Sequence, residues 1–269
     1  MKVLRRLFDF YINSSIHVAL AVTSLVMVTL YEFELPLDFA LVGFLFFGTI
    51  TGYNFVKYAG VAGLHHRSLA KSLQAIQVFS FLCFGAWVFL LFSMGTSFWI
   101  ACIPLGLLTL LYAVPFLPRH KNLRMVPSIK IFIIAAVWSG ATVYLPLAYH
   151  DYGWDASVVV ELLQRFLLTL ILILPFEIRD LKYDAESLGT LPQLYGIKKT
   201  QMVGYVFVGL YLFFQLFQQT RVHWPSTLLL IALCVVAIYF SRKRQKKYYS
   251  SFWVEGIPIV WWACTMLLD

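Results

Sequence analysis

Long apolar runs broken by short polar stretches dominate the chain from end to end. Runs of about 18–24 residues fall near 16–33, 38–56, 73–94, 97–117, 126–149, 156–176, 202–219, 224–241 and 250–268. Each is about the length a helix needs to cross a hydrocarbon core of roughly 30 Å. None shows the alternating ten-residue pattern of a membrane strand, and an open sheet edge cannot face lipid. The pattern therefore predicts an all-α polytopic membrane bundle of about nine transmembrane helices. Little is left over for a separate soluble unit, so residues 1–269 read as one transmembrane helical domain. The first run extends too far past the basic start (Lys2, Arg5, Arg6) for a cleaved leader and reads as the first span.

Composition agrees: 61% of the 269 residues are hydrophobic, 13% are charged and mean hydropathy is +0.78. The net charge of +8 would point to nucleic acid in a soluble protein. Here its distribution gives a different meaning. Eighteen of the 21 Lys and Arg fall on one side of the predicted topology, while Arg221 alone occupies the opposite loops and Lys130 and Arg165 lie inside spans. Such asymmetry places the N-terminus in the cytoplasm and, with an odd span count, Asp269 outside. Short loops fit a bacterial inner membrane, and no nucleic-acid partner is expected. The basic run Arg242 to Lys247 reads as a topogenic patch for lipid headgroups. The four cysteines sit singly in apolar runs and read as small hydrophobes.

Chemistry gathers in the longer cytoplasmic loops after spans 2, 4 and 6. Glu177, Asp180 and Asp184 stand at i, i+3 and i+7, which on a continuing helix puts them within roughly 60° of one another. Three acids aimed one way need a positive partner. Oxygen ligands of this kind suit Mg²⁺, which retains water and substrate phosphates; pairing with Arg179 and Lys182 is the plainer alternative. Gly189 and Pro192 end that helix. Of the other charged residues, Glu161 and Arg165 are one turn apart and read as an intrahelical ion pair. Lys130 reads as snorkelling to the interface, and Glu255 suits either an interfacial or a site position.

The stretch around Asp180 resembles the second aspartate-rich motif of the UbiA superfamily of intramembrane prenyltransferases, approximately D-x-R-D-x-x-x-D-x-x-x-G-x-x-T-L-P-x-x-x-G. Glu177 replaces the leading Asp, and the spacing from Gly189 to Thr190 is shortened. Tyr112 to Pro115 with Arg119, Lys121 and Arg124 is similar to the family's loop after span 4, and Glu255-Gly256 to an aspartate-glycine pair in its last span. The family's first motif, N-x-x-x-D-x-x-x-D, is represented by Asn54, Tyr58 and Ala62, so both aspartates are absent.

The resemblance implies a UbiA-like bundle that transfers an isoprenoid chain from its diphosphate to a hydrophobic, often aromatic acceptor. Asp180, Asp184 and Asn54 would act at the catalytic centre, and Glu177, Asp180 and Asp184 would bind Mg²⁺, at one site rather than two. Arg119, Lys121, Lys182 and Tyr112 would contact substrate. Lys57 and Arg67, with His65 and His66 nearby, could replace the missing acids by neutralising diphosphate directly. Asn54, Tyr58, Asp180 and Asp184 are expected around one central cavity. The missing aspartates also motivate a non-catalytic alternative, a lipid-binding or structural subunit working with a membrane-protein partner.

Overall fold

The structure is a computed structural model and describes residues 2–58, 67–116, 122–184 and 188–268. Among them are helices and turns and no strand. Each of the nine predicted spans coincides with a helical run: α2 (Ile16–Glu32), α3 (Phe39–Tyr58), α4 (Arg67–Phe92), α5 (Thr96–Ala113), α6 with α7 (Lys130–Ser139, Leu145–Tyr149), α8 (Ala156–Asp180), α9 (Leu191–Gln215), α10 (Trp224–Tyr239) and α11 (Ile257–Leu268). Six helices in the described residues are long and apolar enough to span a membrane by themselves, or seven if the bent α1–α2 pair counts as one. This is a multi-pass integral membrane protein.

Burial inverts from centre to rim. In α8, 67% of the residues in the spanning window are buried inside the protein, against 11% in α4. Accordingly α4 and α5 turn Phe81, Phe89, Ile100 and Ile103 outward, as a lipid-facing surface requires. The central α2 separates two cores. One face packs Val18, Val22 and Leu25 against Ile171 of α8, Leu230 of α10 and Trp261 of α11. The other packs Val26 and Leu30 against Leu41 and Phe44 of α3 and Phe98 of α5.

The sequence pattern did not single out α1 (Lys2–Asn13) as a separate helix. It meets α2 at 53°, with Ser15 between them in a left-handed conformation at φ 65°. Its exposed residues mix Val3, Leu4 and Leu7 with Arg5 and Arg6, the mixture of a helix lying in the interface. Phe8 packs edge-on against Tyr248 and Phe252. Lys247 and the Tyr248 hydroxyl donate to Asp9 Oδ1, and Lys247 foremost, then Tyr248, holds that carboxyl below its ordinary value. A depressed folded pKa stabilises above the unfolded value and is lost as pH falls through the folded one. The tether should therefore hold at neutral pH and fail only below about pH 4. Protease cleavage near residue 13, followed against pH and in Asp9→Asn, checks this; equal cleavage at pH 7 and pH 3 would contradict it.

Two wide π turns re-aim side chains. Residues Gly140–Tyr144 join α6 to α7, and Tyr249–Val254 precede α11, where Glu255 N–H donates back to the Ser250 carbonyl at 3.1 Å. In α9, Gly196 adopts φ 78° and ψ 166° at a kink, a region essentially closed to residues with a Cβ. Gly196→Ala should therefore lose about 1–3 kcal/mol, measurable by thermal unfolding in detergent; an unchanged midpoint would contradict it.

Candidate active site

The described ends of α3 and α8, which carry the two motif stretches, lie at the same end of the bundle. The α8 C-terminus is closed by Asp184 N–H donating to the Asp180 carbonyl at 2.8 Å, and Thr190 with Gln193 forms a reciprocal capping box that starts α9. Ser128, in a left-handed turn at φ 61°, donates from Oγ to the Gly189 carbonyl at 2.7 Å. That contact ties the start of α6 to the end of the motif and brings Lys130 under it.

The three acids do not act as one cluster. Lys130 Nζ lies 2.9 Å from Glu177 Oε1 and 2.8 Å from Asp184 Oδ2, with Lys130 14% and Glu177 6% exposed at their side chains. Asp180 instead takes a forked contact from Arg179, Nε to Oδ1 at 2.7 Å and Nη2 to Oδ2 at 3.1 Å. Among the described residues no group of three metal-ligating side chains gathers. Lys130 is therefore not a snorkelling side chain. It is the internal cation between two of the acids, and Glu177 is committed to it. Tyr112 lies within electrostatic reach of Lys130, Glu177 and Asp184. The pairing was not visible in sequence because Lys130 is 47 positions before Glu177 and looks like any lysine at a helix start.

Asn54 also departs from expectation. Its amide is 3% exposed and fully engaged: Oδ1 accepts from Ser15 Oγ at 2.7 Å, while Nδ2 donates to the Ser14 carbonyl at 2.9 Å and to Ser80 Oγ at 2.7 Å. It braces α2, α3 and α4 against one another. The Tyr58 hydroxyl donates to the Asn13 carbonyl at 2.9 Å, and Lys57 Nζ donates to the same oxygen at 3.1 Å. None of Asn54, Tyr58, Asp180 and Asp184 lines the cavity of about 360 Å³ at this end of the bundle.

What the two motifs do share is a cavity of about 360 Å³ walled by Tyr53 and Lys57 of α3, Phe176 and Arg179 of α8, and Glu255. Asp9 and Asn13 of α1 close one side, and Lys247 and Tyr248 another. Lys57 and Arg179 both act electrostatically on Glu255. The Tyr53 hydroxyl is fixed by the Trp138 indole N–H at 2.8 Å. His17 supports this wall: its Nδ1 lies 2.7 Å from the Tyr11 hydroxyl, its Nε2 lies 2.9 Å from the Phe252 carbonyl, and its ring stacks on Phe252. Sequence reading missed His17, a lone histidine with no motif around it. Lys182 is exposed and lies over the Tyr183 ring at 4.6 Å. Arg119, Lys121, His65 and His66 lie outside the described residues, as does the side chain of Arg67.

The two carboxylates that could take up a divalent ion, Asp180 and Asp184, are each already paired with a side-chain cation. Asp180 and Asp184 are one turn apart and reachable from water, at 28% and 21% side-chain exposure.

The sequence matches no family model and no curated protein. A solved structure described as digeranylgeranylglyceryl phosphate synthase in membranes superposes over 95% of this chain and 94% of its own, with a TM-score of 0.53 and 17% identity. The fold is UbiA-like.

Proposed function

We propose that this protein is an intramembrane prenyltransferase that holds an isoprenoid diphosphate at the basic end of the bundle and passes the chain to a hydrophobic acceptor. The observation that carries the reading is the 360 Å³ cavity, in which Lys57 and Arg179 stand on α3 and α8 beside the aromatic faces of Tyr53 and Phe176. Arg forks onto phosphate oxygens and Lys acts as a point charge, so the pair can take the charge that the absent first-motif acids would have managed through metal. As the allylic C–O bond breaks, negative charge grows on the departing diphosphate, where fixed cations stabilise it. The carbocation left behind is sheltered by Tyr53 and Phe176, whose ring faces favour positive charge. One Mg²⁺ held by Asp180 and Asp184 would add further neutralisation of the leaving group. The likeness in fold to a prenyl-transferring synthase supports this reading.

Pyrophosphate release from geranyl, farnesyl and geranylgeranyl diphosphate, with and without Mg²⁺ and across aromatic and polyol acceptors, tests it. Activity with at least one donor is expected, lowered in Asp180→Asn and Asp184→Asn but by less than on removal of the Arg179 guanidinium. A specific observation favours a second reading: the engaged Asn54 and the Lys57 cation leave the first-motif side without any metal-binding acid. Absence of turnover with every donor, together with stable co-purification of another membrane protein, would replace the enzyme by a non-catalytic subunit of a complex.

A further inference from the structure

The free end of α1 carries an apolar face past the edge of the protein. By helical period Val3, Leu4 and Leu7 fall within about 100° of one another, with Arg5 and Arg6 on the flanks. Farther along the same side Phe8 packs against Phe252 and Tyr11 against His17, which seats the second half of α1 on the bundle. Val3, Leu4 and Leu7 continue that face into the open, at 69%, 74% and 62% exposure.

Aromatic residues set the depth at which this happens. Trp253, next to the Phe252 that receives α1, is exposed, and so are Tyr239 and Phe240 where α10 gives way to the basic loop 242–247. Exposed Trp and Tyr at the ends of membrane helices mark the headgroup region. At this level Arg5, Arg6, Arg242, Lys243, Arg244 and Lys246 are all exposed. Asp9 joins the two elements by accepting from Lys247 and from the Tyr248 hydroxyl. It is also the only acid in residues 2–13 and 241–250. With Asp9 answered by Lys247, no acid of either stretch is left to balance the six exposed cations.

We propose that α1 and the loop 242–247 form one binding surface for anionic phospholipid in the leaflet at this end of the bundle. The aliphatic stripe of α1 enters the acyl boundary, and the cations of both elements gather phosphate headgroups. An apolar stripe and a cationic cluster are the two signals that together hold a helix on an anionic membrane. The loop by itself supplies only charge; α1 adds the apolar depth, and the Asp9 tether makes the two a single surface. The surface is independent of the prenyl-transfer reading.

The test follows hydrogen exchange of the α1 amides in the full chain, held in phosphatidylcholine nanodiscs with and without phosphatidylglycerol. Exchange in α1 should slow about tenfold or more with phosphatidylglycerol, and the difference should shrink at high salt. Because the surface is shared, combining Arg242→Gln, Lys243→Gln and Arg244→Gln should remove most of the protection of α1, although these exposed side chains lie on the other element. Arg5→Gln with Arg6→Gln should do the same. Equal exchange in the two kinds of disc, or protection of α1 that survives the loop substitutions, overturns the proposal. So does equal slowing by inorganic pyrophosphate in phosphatidylcholine discs, which would assign the cations to a soluble anion.

Discussion

Replacing Arg165 by Met should be the most damaging single substitution for stability, with a loss of about 3–5 kcal/mol from an uncompensated buried charge. Arg165 is 1% exposed deep in the bundle. It donates to the Leu25 carbonyl at 2.7 Å, to Thr29 Oγ1 at 3.2 Å and to Glu161 Oε1 at 2.6 Å, and its guanidinium lies 5.6 Å from the centre of the Trp261 ring. Removing it strands Glu161, whose other oxygen accepts from Gln218 Nε2 at 2.9 Å, and it loosens α2, α8 and α11 together. The penalty belongs to the orphaned acid more than to the lost arginine. Pairing Glu161→Gln with Arg165→Met should therefore recover most of the stability. Unfolding of the four proteins in detergent forms the thermodynamic cycle. A double variant no more stable than Arg165→Met would show that packing around the arginine, rather than charge compensation, is what the bundle needs.

On activity the largest effect is expected at Arg179. In Arg179→Ala, kcat/KM for pyrophosphate release should fall about 10²–10³-fold, the range for deleting one fixed donor to a developing negative charge. Arg179 forms part of the cavity wall with Lys57 and also grips Asp180 through two nitrogens at 2.7 and 3.1 Å. Loss of the guanidinium would remove the proposed phosphate contact and free the Asp180 carboxylate next to it. Arg179→Lys keeps the charge without the fork and should recover only part of the loss. Unaltered turnover in Arg179→Ala would move the headgroup site away from this cavity.

How the acids are used is where sequence and structure part. The spacing of Glu177, Asp180 and Asp184 predicts one face of a continuing helix, but α8 ends at Asp180 and Asp184 follows in the turn beyond it. The partner of two of them was not local. Lys130 reaches Glu177 and Asp184 from another helix, while Arg179 takes Asp180 from the adjacent position. Asn54 shows the same division. Its place in a family-like motif was legible, but its use as a brace among Ser14, Ser15 and Ser80 depends on α2 and α4 packing beside α3. Glu161 and Arg165 were read correctly as a pair because four residues along one helix suffice to bring them together. The contacts of Arg165 to Leu25 and Thr29 could not be read that way.

By itself the sequence determined the class of solvent, the number and order of the apolar helical runs, and which end of the bundle is basic. Those properties follow from transfer free energies and helical period, which act over twenty residues or fewer. The tertiary structure alone decided which lysine neutralises which acid, that α1 folds against the basic end, and that Lys57, Arg179 and Glu255 surround one cavity. Ion pairs and cavity walls form between residues far apart in the chain, and their geometry exists only once the helices have packed.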